Sequence, residues 1–352
     1  MKTIRCLNAA LAVFAAAFAV AAAAGDEGLR EKVPALALVT EHITIPSDTP
    51  GIELYIRNKH PQEAAISPER ILLYVHGATY PSETAFDLRL DGMSWMDYIA
   101  AHGWDVYLVD LRGYGQSTRP PEMDQPAKDN PPIVTTDVAV RDVSTAVDYI
   151  LKRRSVSKVN LLGWSWGTSI MAAYTTANND KVNKLALYAP LWLRNTPGLI
   201  GGDGPLGAYR TVTKENARKR WLTGVPADKQ AELIPSGWFE AWTEATWATD
   251  PKATQGGELR APNGVIQDVR DYWASGKPYY DPGDIRVPTL LIKAEWDQDT
   301  PAYMAQALFL LLKNAPSKRY VEIGEGTHTV IMEKNRMQLF REVQLFLDEP
   351  SH

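Results

Sequence analysis

Val159-Asn160-Leu161-Leu162-Gly163-Trp164-Ser165-Trp166-Gly167-Thr168 is the stretch whose reading decides the fold. Val159 to Leu162 has the apolar character of a short buried strand, and Trp166 to Asn178 reads as a helix. Between them sits one serine flanked at two residues' distance by Gly163 and Gly167. A strand that passes into a helix through such a serine makes a sharp turn. The glycines let two backbones approach closely, and the turn lifts the Ser165 hydroxyl out of the sheet. The helix start places positive partial charge beside it. A serine helix cap between two glycines has the same local pattern, so the rest of the chain must decide between the two.

Working outward from this turn, short apolar strands alternate with amphipathic helices. Strands are expected at Ile71–Val75, Trp104–Asp110, Leu185–Tyr188, Pro288–Ile292 and Arg319–Ile323. Helices are expected at 91–102, 137–154, 302–313 and about 335–347. The alternation implies a mostly parallel sheet covered on both faces, an α/β fold. Thr40–Ile45 and Ile52–Ile56 alternate apolar and polar residues around the turn Pro46-Ser47-Asp48-Thr49-Pro50-Gly51, and are expected to add an antiparallel edge. The pattern breaks between 191 and 284. That stretch shows no convincing buried strand and holds six of the eleven tryptophans, so it reads as a mainly helical insertion.

The first residues carry a different signal. Lys2 and Arg5 precede an apolar run from Leu7 to Val20, and Ala22-Ala23-Ala24 fits a signal-peptidase site. Residues 1–24 are therefore expected to be a removable signal peptide, with core segments over 25–190 and 285–352 and the insertion over 191–284. Secretion or export to a periplasm is implied, with no stable membrane anchor after cleavage. Cys6 is the one cysteine, so the processed chain would have no disulfide, thiolate metal site or cysteine nucleophile. The net charge is −5, and removing Lys2 and Arg5 makes it more negative. With no basic run and no stripe of interleaved basic and aromatic residues, nucleic acid is not an expected partner. A small molecule is.

Two further loops supply titratable groups after expected strands, where the ligands of a parallel sheet gather. His328 closes Gly324-Glu325-Gly326-Thr327-His328, after the last strand. Of the six histidines it is the one placed to act as a base. Ala294-Glu295-Trp296-Asp297-Gln298-Asp299-Thr300-Pro301 follows the strand before. A buried carboxylate there would fix the histidine tautomer and stabilise the imidazolium. Asp297 is preferred because Pro301, four residues on, can start the next helix. Asp299 is also in reach, and Glu295 is a third choice.

The order Ser165, acid, His328 is that of one fold class, and here the chain resembles the α/β-hydrolase superfamily, in its serine-hydrolase branch with a helical cap. The resemblance rests on His76-Gly77, on Asp110-Leu111-Arg112-Gly113-Tyr114-Gly115-Gln116-Ser117, on Gly163–Gly167, on Asp297 with Pro301, and on Gly324–His328. It implies an oxyanion hole made by the backbone N–H groups of Ala78 and Trp166, and structural roles for His76 and for the segment 110–117. It also implies cofactor-free chemistry, with no metal. Ala294 departs from the glycine often found before the acid. Serine at 165 argues against the dehalogenase and epoxide-hydrolase branches, which use aspartate there.

These residues point to acyl transfer to water through an ester on Ser165. The insertion should roof the site, with Trp164, Trp238 and Trp242 as candidate substrate contacts; half or more of the insertion's tryptophans are expected to be its own core. Arg218-Lys219-Arg220 reads as a solvated basic cluster and not as a carboxylate-binding site. The favoured substrate is a small, rather apolar ester or lactone. The alternatives are an aminopeptidase resembling proline iminopeptidases, with Glu240 and Glu244 holding the substrate amine, a carbon–carbon bond hydrolase with the same triad, and an inactive binding protein on the same fold.

Overall fold

The computed structural model describes residues 37–63, 66–202 and 204–350, so the expected signal segment lies outside the described residues. β1 (Leu38–Pro46) and β2 (Glu53–Pro61) form an antiparallel pair at one edge, as the alternating pattern implied. β2 then pairs antiparallel with β4 (Asp105–Val109). From there the sheet is parallel through β3 (Ile71–Val75), β5 (Val159–Trp164) and β6 (Val182–Tyr188).

In the second half of the chain two short strands, β7 (Tyr209–Val212) and β8 (Leu259–Pro262), pair with each other, apart from the main sheet. β9 (Thr289–Ala294) and β10 (Lys318–Ile323) rejoin the main sheet and give eight strands in the order β1-β2-β4-β3-β5-β6-β9-β10. Every residue of β3, β4, β5 and β9 is buried, which fits strands covered on both faces.

The strand order fixes where the site lies. From β3 the chain moves to one side to build β4, then crosses back to build β5 on the other. The connections leaving β3 and β5 therefore part at their carboxyl ends and open a crevice there, the switch point at which α/β sheets bind ligands. Ser165 immediately follows β5, and Gly77-Ala78-Thr79-Tyr80 lies just beyond β3.

Of the helices, α1 (Ser82–Phe86) follows that loop, and α2 (Trp95–Ala101) starts later than the sequence implied. Asp91 and Gly92 take positive φ, and a capping box of Ser94 with Asp97 sets the first turn. Met93 thus falls outside the helix. α3 (Thr136–Arg154) and α4 (Trp166–Ala177) cover one face around β5. The insertion contributes α5 (Lys214–Trp221), α6 (Gln230–Leu233), α7 (Trp238–Trp247) and α8 (Gly264–Asp268). α9 (Ala302–Leu311) and α10 (Arg336–Asp348) complete the core.

β7 and β8 correct the expectation that 191–284 has no buried strand. All four residues of β8 are buried, and the sequence hides them because Leu259-Arg260-Ala261-Pro262 is too short to show a period and carries a charge and a proline. Arg260 is accommodated there by ion pairing with buried Asp250. The insertion is tied to the core at α3. The Asp268 carboxylate accepts from the Thr136 N–H and hydroxyl at 2.6 Å each, and the Gly264 N–H donates to the Ile133 carbonyl at 2.7 Å.

Candidate active site

Ser165 sits at φ 58°, ψ −119°, a conformation that costs a non-glycine residue about 1–3 kcal/mol. Surrounding bonds hold it there. Its N–H donates to the Tyr188 carbonyl at 2.9 Å, and its own carbonyl accepts from the Thr168 N–H and hydroxyl. The flanking glycines are required by close approach. A Cβ on Gly163 would lie 2.3 Å from the Gly167 carbonyl oxygen, and one on Gly167 would lie 2.6 Å from that of Val75. The turn is therefore wedged against β3, and a Cβ on Gly77 would lie 3.0 Å from the Ser165 Cβ.

His328 lies in the loop after β10. Its Nδ1 is 2.8 Å from Asp297 Oδ2. Asp297 also accepts from the Thr300 N–H at 2.9 Å and from the Thr300 hydroxyl at 2.7 Å. The His328 carbonyl accepts from the Trp164 indole N–H and the Tyr188 hydroxyl, at 3.1 and 2.8 Å, which fixes the loop against the end of β5 and β6. Burial alone would raise the Asp297 pKa, but the His328 charge and the hydrogen bonds from His328 and Thr300 outweigh it and hold the carboxylate below its ordinary range. Burial alone would lower His328. The Asp297 charge, with Asp299 adding to it, moves the imidazole the other way, above its ordinary value.

The other two candidate acids are engaged elsewhere. Asp299 is bound by Arg220, whose Nη2 and Nε reach its carboxylate at 2.9 and 3.0 Å. Glu295 is exposed and accepts from the Glu325 N–H at 2.9 Å.

Ser165 and His328 line one narrow slot of about 440 Å³, its open mouth included. Ala78, Thr79, Tyr80 and Trp164 line it from the core, and Ala217, Arg220, Trp221 and Trp242 line it from the insertion. The Ala78 carbonyl accepts from the Tyr114 hydroxyl at 2.9 Å and from Arg210 Nη2 at 2.5 Å, which orients the peptide groups of this loop. The Trp166 side chain is occupied on its far side, donating from its indole to the Thr136 hydroxyl at 2.9 Å. His76 is buried, donates from Nδ1 to the Gly77 carbonyl and accepts from the Leu111 N–H. Burial pulls it down to about 4, so it stays neutral. Asp110 is likewise a buried organiser, accepting from the N–H groups of Ser82 and Gln116.

Several expectations for the insertion change. Trp238 is not in the slot. It is half-buried at the first position of α7, with the Arg336 guanidinium 4.4 Å from its ring. Trp242 is in the slot, packed edge-on against Tyr80 and Trp221. Arg220 is not part of a solvated cluster, because its guanidinium lines the slot and pairs with Asp299. Glu240 and Glu244 are exposed and outside the slot, so the insertion offers no carboxylate for a substrate amine at those positions.

Trp221 and Glu333 were not singled out from the sequence. The Trp221 indole donates to Glu333 Oε1 at 2.8 Å, and Glu333 also accepts from the Thr327 N–H at 3.0 Å and from the Thr327 hydroxyl. This buried carboxyl joins α5 to the residue before His328. Burial pushes it up to about 7 against the pull of those hydrogen bonds. A signal for the slot face was present in α5, where Ala217, Arg220 and Trp221 fall at i, i+3 and i+4.

A family model described as alpha/beta hydrolase fold matches residues 71–335. Two probable lipases of Schizosaccharomyces pombe are similar to part of the chain. One is 27% identical over 150 residues, 42% of this chain and 30% of the lipase; the other is 28% identical over 157 residues, 44% and 35% respectively. The matched part thus spans about a third of the length of these curated relatives. Among solved structures, a bromoperoxidase from Bacillus anthracis superposes with a TM-score of 0.59 at 16% identity, covering 88% of this chain and 100% of that one. A thermophilic esterase from Thermogutta terrifontis gives 0.55 at 16%, covering 87% and 98%. The enol-lactonase of Burkholderia xenovorans gives 0.55 at 15%, covering 87% and 100%. At these identities the structural likeness speaks to the fold alone.

Proposed function

This chain belongs to the α/β-hydrolase family, and from that premise we propose that it is a serine hydrolase cleaving an ester or lactone of a small, rather apolar substrate through an acyl-enzyme on Ser165. The observation that carries the reading is the strained Ser165 at the sheet's switch point, sharing one slot with a His328 already paired to a buried carboxylate.

In this mechanism the neutral Nε2 of His328 takes the Ser165 proton as the hydroxyl oxygen attacks the substrate carbonyl. Asp297 holds the proton on Nδ1 and stabilises the imidazolium that forms. The N–H groups of Ala78 and Trp166 receive the oxyanion; one such donor is worth roughly 10²–10³ in rate. His328 then protonates the leaving alcohol, and a water repeats the sequence on the acyl-enzyme. The aromatic walls from Trp164, Trp221 and Trp242 favour an apolar group beside the reacting carbonyl. Residues 1–24 have the pattern of a signal peptide, so we place the mature enzyme outside the cytoplasm, secreted or periplasmic. No helix among the described residues is long and apolar enough to cross a membrane.

Labelling with a fluorophosphonate probe tests the nucleophile. The wild-type chain should label and turn over short p-nitrophenyl esters, and Ser165→Ala should do neither. Labelling that survives Ser165→Ala unchanged sinks the assignment.

A further inference from the structure

Tyr80, Ala217 and Arg220 line the slot on one side and, on the other, line a larger cleft of about 960 Å³ with its mouth included. This cleft carries three cations, Arg210, Lys219 and Arg220, and no acidic residue among its described lining residues. Arg220 is offset by Asp299. Arg210 and Lys219 have no carboxylate within ion-pair distance among the described residues.

Arg210 donates instead to neutral oxygens. Nη2 reaches the Ala78 carbonyl at 2.5 Å and the Thr79 hydroxyl at 3.0 Å, Nη1 reaches the Pro262 carbonyl at 2.6 Å, and the Nε–H is buried without a partner. Its hydrogen-bonding capacity is largely used, but its charge is not compensated. A half-buried cation without a counter-charge is costly, and here it sits in a chain whose net charge is −5. Beside these charges the cleft has an apolar side formed by Leu199, Ile200 and Val212.

We propose that this cleft is a substrate subsite for a carboxylate, so that the natural substrate is an ester whose acyl chain carries an anionic end a few methylenes from the reacting carbonyl. The inference rests on the hydrolase reading above and narrows its substrate class. The apolar side holds the methylenes, and Arg210 and Lys219 supply the field that draws in and retains the anion.

The test compares two p-nitrophenyl esters of matched shape on the full chain: the monoester of glutaric acid, corrected for its self-catalysed background, and the neutral ester of 5-methylhexanoic acid. The expected kcat/KM ratio favours the glutarate by up to about tenfold, through the field of the two cations and not a direct hydrogen bond, and falls with added salt. Asn216 also lines the cleft, at the third position of α5. Asn216→Asp adds a negative charge without changing shape, and an acid in a first helical turn favours folding; it should erase the preference, as should Lys219→Glu. Arg210→Gln should slow both esters, because it also frees the Ala78 carbonyl.

Turnover of the neutral ester with no preference for the glutarate overturns the subsite and leaves the hydrolase reading standing. Failure of both esters together with failure of fluorophosphonate labelling overturns the hydrolase reading itself. Asp203 lies outside the described residues, close in sequence to the Leu199–Gly201 wall. A preference that appears only in Asp203→Asn would show that the cleft is neutralised by the chain itself, and that too overturns the proposal.

Discussion

At the scale of single residues, the division of labour between two aspartates separated by one position is the sharpest statement the site makes. Asp297 faces His328, and Asp299 faces Arg220. Asp297→Asn should leave the geometry in place while presenting the wrong tautomer, with a loss in kcat of roughly 10⁴. Asp299→Asn removes a counter-charge in the slot wall and should cost about tenfold or less, so a larger loss in Asp299→Asn reverses the assignment. The pH profile checks the same pair. His328 must be neutral to act as a base, and its pKa lies above the ordinary 6.5, so kcat/KM should fall as pH drops through a midpoint above that value. Asp297→Asn takes away the larger of the two charges that oppose burial, which moves the residual midpoint down. The sequence made Ser165 and His328 legible because each follows a strand, with a glycine two residues before it. It left Asp297 and Asp299 open because their difference is one of direction, set by the turn that Thr300 stabilises. Arg220 and Glu333 were hidden for a related reason: a charged side chain reads as solvated until a buried partner for it is known.

Elements show the same contrast between pattern and partner. The inner parallel strands were legible because burial on both faces demands apolar runs, and α3 and α4 because their apolar faces repeat at helical spacing. The start of α2 was misplaced because a capping box, not periodicity, sets it, and β7 and β8 were missed because their stability comes from each other and from Arg260–Asp250. A bond between elements carries a further prediction. Asp268, at the end of α8, accepts from the first N–H of α3 and from the Thr136 hydroxyl, which in turn accepts from the Trp166 indole. One buried carboxylate thus joins the insertion, the start of a core helix and the residue after Ser165. Asp268→Ala leaves two donors unsatisfied and should cost roughly 1–3 kcal/mol, measured as a lower urea midpoint with an unchanged slope. It should also lower kcat, through Trp166. An unaltered midpoint would mean that α3 finds its N-terminal partner elsewhere.

Over the whole molecule, the insertion meets the core through buried polar contacts, and one of them titrates near neutrality. Glu333 is fully buried between Trp221 and Thr327, and burial raises it from 4.5 to about 7. In the unfolded chain the group ionises near 4.5, whereas in the folded protein it keeps its proton up to about 7. Between those values the folded state binds more protons, so its stability falls as pH rises across that window, by an amount on the order of 3 kcal/mol for this group. His76 works in the opposite sense. Its pKa is lowered to about 4, so stability from its neutral form is lost as pH falls from 6.5 toward 4. A wild-type profile alone cannot separate the two, but Glu333→Gln can. Glutamine mimics the protonated acid and does not ionise, yet its N–H₂ must face either the Trp221 or the Thr327 N–H, both donors to the present carboxyl. The variant should therefore melt below the wild type at pH 5, and the gap should narrow steadily toward pH 8 as the wild-type carboxyl is forced to ionise in place. A gap that stays constant across this range would mean that Glu333 is already ionised at pH 5, with the hydrogen bonds from Trp221 and Thr327 outweighing its burial.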